Sequence, residues 1–515
     1  MVAGIHHITL ITRKVQANVD FYTGFLGLRL VKRTGGFEDA VQLHLFYGDA
    51  VGSPGSLVSF LVWEDGSPGR AGLGQTGEIS LAVAPAEIGF WLTRALRYGL
   101  RPEGPTLEFG EPVLRLKDPD GVIVKLVGTK AVEAAAPWAT GDIPIEAAIK
   151  RIRGATLLAE TPAETQAMLK RHFGYRTTGK AGNISRLTSE SGDIIDVRDA
   201  TGFWSSAPGT GTVDHVAFRA RDEAEVEAVR RGLQAAGAFP TASHDRKYFH
   251  SIYVREPGRI LFELATDAPG MLIDEDEETL GTTLFVPPAA SDHAEELKVM
   301  MPQFAMPGEP RTLYRDLPFV HRIFTPEDPD GSVLVLLHGS GANETTLLPL
   351  AHKAAPRATL LAVRGRATEE GLPRWFKRIT PFSFDQADIA KEAEAFDAFV
   401  KGAVAAYGFD PERMVFLGYS NGANLINALM ALHPHVVRRA VLLRSMPVLN
   451  EPPEADMSDA KVLLIAGETD DYGRYAEPLR DWLTREGAAV TFKTVPHGHE
   501  LTDDDATLIR AWLTP

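Results

Sequence analysis

One pattern returns four times in the first half of the chain, and that repetition limits the possible folds more than any other feature. Each copy leads from a strand into an amphipathic helix and on into further strands. The first copy begins GIHHITLIT and continues VDFYTGFLGLRLVKR; the third begins GATLLAE and continues TQAMLKRHFGYRTTG. Their helix ends match as FLGLRL and HFGYRT, with Gly27 and Gly174 as helix stops. The second copy runs from GEISLAVA to LKDPDGVIVKLV, the fourth from VDHVAFRA to VREPGRILFELA. Pro-Asp-Gly and Pro-Gly-Arg mark turns between β-rich runs. Four βαβββ modules are therefore expected at roughly 4–63, 76–128, 152–199 and 212–266, the first two within 1–130 and the others within 150–268.

Residues 269–316 read as an extension of this half and a linker, with the acidic run Asp274–Glu278 as a solvated surface. Over 317–515 the pattern changes to strand–helix alternation. SVLVLL, ATLLAV, RMVFLG, RAVLLR and KVLLIA are short apolar runs without alternation, as strands buried on both faces require. The expected fold class is multidomain: α+β modules followed by an α/β doubly wound domain.

Composition removes several kinds of chemistry. There is no cysteine, so disulfides, thiolate metal sites and cysteine nucleophiles are excluded. The net charge is -15, from 53 Lys+Arg against 68 Asp+Glu, which disfavours nucleic acid and anionic membranes as partners. No apolar stretch approaches the ~20 residues of a membrane span. MVAGIHHITLITRKV lacks the layout of a signal peptide, and a cytoplasmic location is expected.

Aligning the modules brings out a constellation. On the first strand, module one has His7 and module four His215, where modules two and three have Ile79 and Ala155. On the last strand, module four has Glu263 where module two has Lys125; module three offers Asp196 but no histidine at its start. Among the matched positions one His, His, Glu set remains. Two imidazoles and a carboxylate on one face of a divalent ion leave positions open, the arrangement of non-haem Fe(II) oxygen chemistry. Mn(II) accepts the same ligands, as does Zn(II). His6 alternates with His7 and is expected to face the other side of the strand, unless the strand bends.

The stretches HHITLIT, DFYTGFLGLRLVKRT, LHLFYGD, FGEPVLRLKDPDG, GTVDHVAFRA, DRKYFHSIYVREPGRILFE and DEDEETLG resemble the vicinal oxygen chelate superfamily of glyoxalases, bleomycin-resistance proteins and extradiol dioxygenases. Within it, they are most similar to ring-cleaving dioxygenases acting on hydroquinones. The resemblance implies Fe(II), sometimes Mn(II), held by His7, His215 and Glu263, with O2 as co-substrate. It further implies roles near the metal for Tyr253, Arg246 and His6. It also implies that modules one and four pack together. Asp214 departs from the pattern, because close relatives often have His there.

GYSNG at 418–422 matches Gly-x-Ser-x-Gly. The strand-like RMVFL precedes it and the helix-like ANLINALMAL follows, which is the context a nucleophile elbow needs. Ser420 is the candidate nucleophile. An acid and a histidine should follow in that order: Asp470 or Asp471 in GETDD, then His497 or His499 in PHGHELT. LLHGSGANE resembles the loop that donates one backbone N–H to an oxyanion hole, assigned to Ser340, with Asn421 giving the second. His338 reads as structural. Trp375, Phe376 and Arg378 line a substrate pocket or pack.

LHGSGANE, VRGRATEEGLPRWFKR, YGFDPERMVFLGYSNGANL, AGETDD and GHELT are similar to the phospholipase/carboxylesterase family of serine hydrolases. That match selects Asp470 and His499 as the partners of Ser420. No long insertion suggests a bulky lid, so small esters are expected. The whole reads as a bifunctional enzyme with small aromatic and ester substrates; self-association into a homo-oligomer stays open. The rival readings are a non-catalytic aromatic-binding module or glyoxalase-like isomerase in the first half, and a C–C or thioester hydrolase in the second.

Overall fold

IHHITLIT forms the strand Ile5–Thr12, buried at every position. Only a strand covered on both faces and flanked on both edges can be so. It sits mid-sheet in a nine-stranded sheet ordered His244–Asp245, Phe249–Arg255, Leu261–Pro269, Thr212–Ala220, Ile5–Thr12, Leu57–Val62, Leu43–Gly48, Arg29–Gly35 and Leu284–Phe285. Modules one and four thus share one sheet, joined antiparallel through Ile5–Thr12 and Thr212–Ala220. Modules two and three make an eight-stranded sheet, joined through Gln75–Val83 and Arg151–Ala159. The computed structural model describes residues 4–514.

The chain falls into two units. One runs up to Ala294 and takes in Phe304–Pro310; the other comprises Glu295–Gln303 and the chain from Arg311. The 269–294 stretch adds the edge strand Leu284–Phe285 to the first sheet. Its acidic run is not simply a solvated surface. Asp274 and Glu275 both bind the ammonium of Lys32, a lysine that is 1% exposed on the strand Arg29–Gly35. A buried ammonium needs such partners, and the distance of over two hundred residues hid the pairing.

In the second unit a seven-stranded sheet is ordered His321–Phe324, Thr359–Val363, Val333–Leu337, Met414–Tyr419, Arg439–Leu443, Lys461–Gly467 and Ala489–Val495. Neighbours are parallel except the first pair. VLVLL explains itself here. Val333, Val335 and Leu337 enter one core with Ile389, Phe396 and Leu425, while Leu334 and Leu336 enter another with Leu348, Ala351 and Ile509. Both faces are covered, so no polar residue is tolerated in the run. Cutting Leu336 to Ala would cost about 2–5 kcal/mol.

Candidate functional site

Register builds the first site. His7 lies opposite Ala217, Ala217 opposite Glu263, and Glu263 opposite Tyr253, a row across four strands. Directly opposed residues share a face of the sheet. His215 is two residues before Ala217 on the same strand and returns to that face. Ala217 is small, so side chains can meet over it. Nε2 of His7 is 3.2 Å from Nε2 of His215, and both lie 2.9 Å from Oε2 of Glu263. All three residues are buried.

Neither oxygen of Glu263 has a partner in hydrogen-bond geometry despite this crowding. Three ligand atoms converge on one point, and their chemistry fits a divalent cation. Burial opposes charge on Glu263, yet the imidazoles of His7 and His215 hold its carboxyl well below the usual range. Burial likewise disfavours the cationic form of His215, but Glu263 and Asp214 outweigh it and lift the group to about 9.

The other ring nitrogens are also engaged. Nδ1 of His215 is 2.7 Å from Oδ2 of Asp214. Nδ1 of His7 is 2.9 Å from Nδ1 of His6. Alternation would turn His6 away, but the pairing register shifts between Ile5 and His7. His6 is the extra residue of this β-bulge, which breaks the alternation and turns its ring toward His7. Burial pushes His6 down to about 3.

Tyr253 has its ring 5.5 Å from that of His215, and burial together with Glu263 pushes its phenol up. The Arg246 guanidinium lies 5.7 Å from the Tyr253 ring and donates to Glu38. His44 was not among the expected residues. Its Nε2 is buried without a partner, and burial, then the neighbouring His7 and His215, bring it down to about 3. LHLFYG carried the only sequence signal, since alternation puts His44 and Phe46 on one face.

The second sheet has no such trio among the described residues. Nζ of Lys125 is 3.1 Å from Glu78 and 3.3 Å from Glu108, and 3.2 Å from Oγ1 of Thr156. Asp196 is held by Arg186 at 2.8 Å. An ammonium sits among carboxylates where the matched position in the first sheet is a bare carboxylate.

The second site forms at the tips of parallel strands. Ser420 has φ 51° and ψ -115°, a strained turn between Met414–Tyr419 and the helix Asn421–Leu432. Glycines permit it: a Cβ at Gly418 would meet the Ala423 backbone at 2.6 Å, and one at Gly422 the Leu337 carbonyl oxygen at 2.1 Å. Oγ of Ser420 is 3.0 Å from Nε2 of His499, whose Nδ1 is 2.9 Å from Oδ2 of Asp470. His497 pairs with Asp504 instead.

Asn421 begins the helix, and its Oδ1 accepts from the Trp375 N–H. Ser340 lies between Gly339 and Gly341 in the loop after Val333–Leu337, where the Gly341 N–H donates to the Pro373 carbonyl. His338 accepts from the Gly365 N–H. Trp375 and Phe376 are fully buried in the core, and Arg378 pairs with Glu369, so packing accounts for the two aromatics. Two short hairpins lie between Ala367 and Phe384.

Arg444 is a residue that sequence reasoning missed. Its guanidinium donates to the carbonyls of Gly498 and Glu500, on either side of His499, and to Asp505. Directly before it, Leu443 accepts the Ser420 N–H. One short segment thus anchors both the nucleophile and the base.

Residues 4–126 match the Glyoxalase/Bleomycin resistance protein/Dioxygenase superfamily, and residues 320–513 the Phospholipase/Carboxylesterase family. MhqO of Bacillus subtilis (strain 168), provisionally named a ring-cleaving dioxygenase, is 38% identical over 312 residues, covering 60% of this chain and 98% of MhqO. MhqD of the same organism, provisionally named a hydrolase, is 34% identical over 183 residues, covering 35% of this chain and 92% of MhqD. The chain belongs to both families. Chlorohydroquinone/hydroquinone 1,2-dioxygenase of Sphingobium indicum is 31% identical over 309 residues, 58% of this chain and 95% of that protein. The dioxygenase-family half carries the His, His, Glu cluster and the carboxylesterase-family half the Ser, His, Asp hydrogen bonds. This fusion joins an oxidoreductase to a hydrolase.

Proposed function

We propose that the first half is an Fe(II)-dependent ring-cleaving dioxygenase for hydroquinone-like aromatics, and the second half a serine carboxylesterase for small esters. The observation that carries the first reading is the convergence of three buried ligand atoms, from His7, His215 and Glu263, on one point. The hydroquinone class comes from the Sphingobium relative. His7, His215 and Glu263 would hold the ion, and bound Fe(II) would supply the redox chemistry that lets an ionised aromatic hydroxyl react with O2. Asp214 and His6 orient the two imidazoles through their Nδ1 atoms. Tyr253 donates a hydrogen bond or a proton beside the reacting oxygen without adding charge. Arg246, next to Tyr253, attracts the anionic oxygen of the substrate. Mn(II) is the alternative ion.

In the second half, His499 accepts the Ser420 proton as Oγ attacks the ester carbonyl, and Asp470 holds the imidazole. The backbone N–H groups of Ser340 and Asn421 receive the oxyanion. The His499 bonds to Ser420 and Asp470, 3.0 and 2.9 Å, support this reading.

Metal analysis with an oxygen electrode tests the first half. Purified protein should hold Fe(II) and consume oxygen with methylhydroquinone, and His215→Ala should lose the iron. Normal iron content in that variant would remove His215 from the ligand set.

A further inference from the structure

The hairpin strand Leu372–Arg374 is wedged against both oxyanion loops of the second half. Gly341 N–H donates to the Pro373 carbonyl, and Trp375 N–H to Oδ1 of Asn421, each at 2.9 Å. Trp375 turns its indole into the core, where Nε1–H donates to the His338 carbonyl. Successive side chains of an extended segment alternate, so Arg374 points the other way. Arg374 therefore stands between the two residues that hydrogen-bond the oxyanion loops, with its side chain on the side opposite the Trp375 indole.

Its partners leave charge over. Arg374 is only 5% exposed, and its Nε has no hydrogen-bond partner. Nη1 lies 2.9 Å from Oε2 of Glu369, while Oε1 of the same carboxylate is taken by Arg378 at 2.8 Å. Two guanidinium groups share one carboxylate, in a chain of net charge -15. A buried donor left open costs free energy unless a ligand meets it. A planar guanidinium edge suits a planar carboxylate.

We propose that this cleft selects esters carrying a free carboxylate, with Arg374 as the group that binds the anion. The inference rests on the serine-esterase reading above and names its substrate class. Ser420 displaces the alcohol, which leaves with the proton held by His499; water then frees the acid from Ser420. The proposed ring opening breaks the bond between a hydroxylated carbon and its neighbour and adds one atom of O2 to each, leaving a carboxyl group on the first and a carbonyl on the second; that carboxylate is of the class Arg374 would bind.

The test compares 4-nitrophenyl hemiglutarate with the neutral 4-nitrophenyl valerate. The wild-type chain should favour the anionic ester in kcat/KM by about tenfold, as one charged hydrogen-bonded contact supplies. Arg374→Met should bring that ratio toward one through KM, and Arg374→Lys should restore part of it. A wild-type ratio at or below one overturns the proposal without needing any variant, as does a ratio that Arg374→Met leaves unchanged. The underlying reading fails separately, and takes the proposal with it, if neither ester is hydrolysed and a fluorophosphonate does not label Ser420.

Discussion

The guanidinium of Arg444 and the carboxylate of Asp505 form an ion pair with both side chains at 0% exposure. All three nitrogens of the guanidinium are engaged, because Nε and Nη2 also bind the Gly498 and Glu500 carbonyls. Asp505 in turn accepts the Thr502 N–H and caps the last helix. Arg444→Ala should destabilise the hydrolase unit by about 3–5 kcal/mol, since a buried carboxylate is left without its cation. Thermal unfolding measures this. The double variant Arg444→Met with Asp505→Asn should recover stability but not ester hydrolysis, because the carbonyls flanking His499 stay unheld.

Asp214 is expected to set metal affinity through His215. It accepts from Nδ1–H and so fixes the tautomer that presents Nε2. Asp214→Ala should weaken metal binding about 10–100-fold. Competition with a chelator of known affinity checks it; an unchanged affinity would mean that the 2.7 Å contact does not orient the ring.

Ser420→Ala should abolish hydrolysis of 4-nitrophenyl acetate while iron content and oxygen uptake persist. The two chemistries draw on different units with separate cores. Hydrolysis at the wild-type rate would place the nucleophile elsewhere.

One ion per chain is the stoichiometry that elemental analysis should return. Lys125 puts an ammonium between Glu78 and Glu108 in the second sheet, and a cation repels a cation. A value near two would refute this.

Much of the site was legible because the modules repeat. Comparing four copies singled out His7, His215 and Glu263 from fifteen histidines and many carboxylates. The strand–elbow–helix pattern did the same for Ser420, since a Gly-x-Ser-x-Gly turn imposes its own local geometry. His6 defeated the alternation argument because a bulge adds one residue to a strand without marking it in the residues themselves. Lys32 with Asp274 and Glu275, His44 beside the ligands, and Arg444 around His499 were also out of reach. Each depends on a partner far away in the chain.

Sequence alone determined the fold classes, the order of the two halves and the residue types that could carry chemistry, because periodicity and turn residues act locally. Tertiary structure decided which nitrogens and oxygens face one another. That choice is made by strand register: moving Thr212–Ala220 by one residue against Ile5–Thr12 would turn His215 to the opposite face, with the composition unchanged.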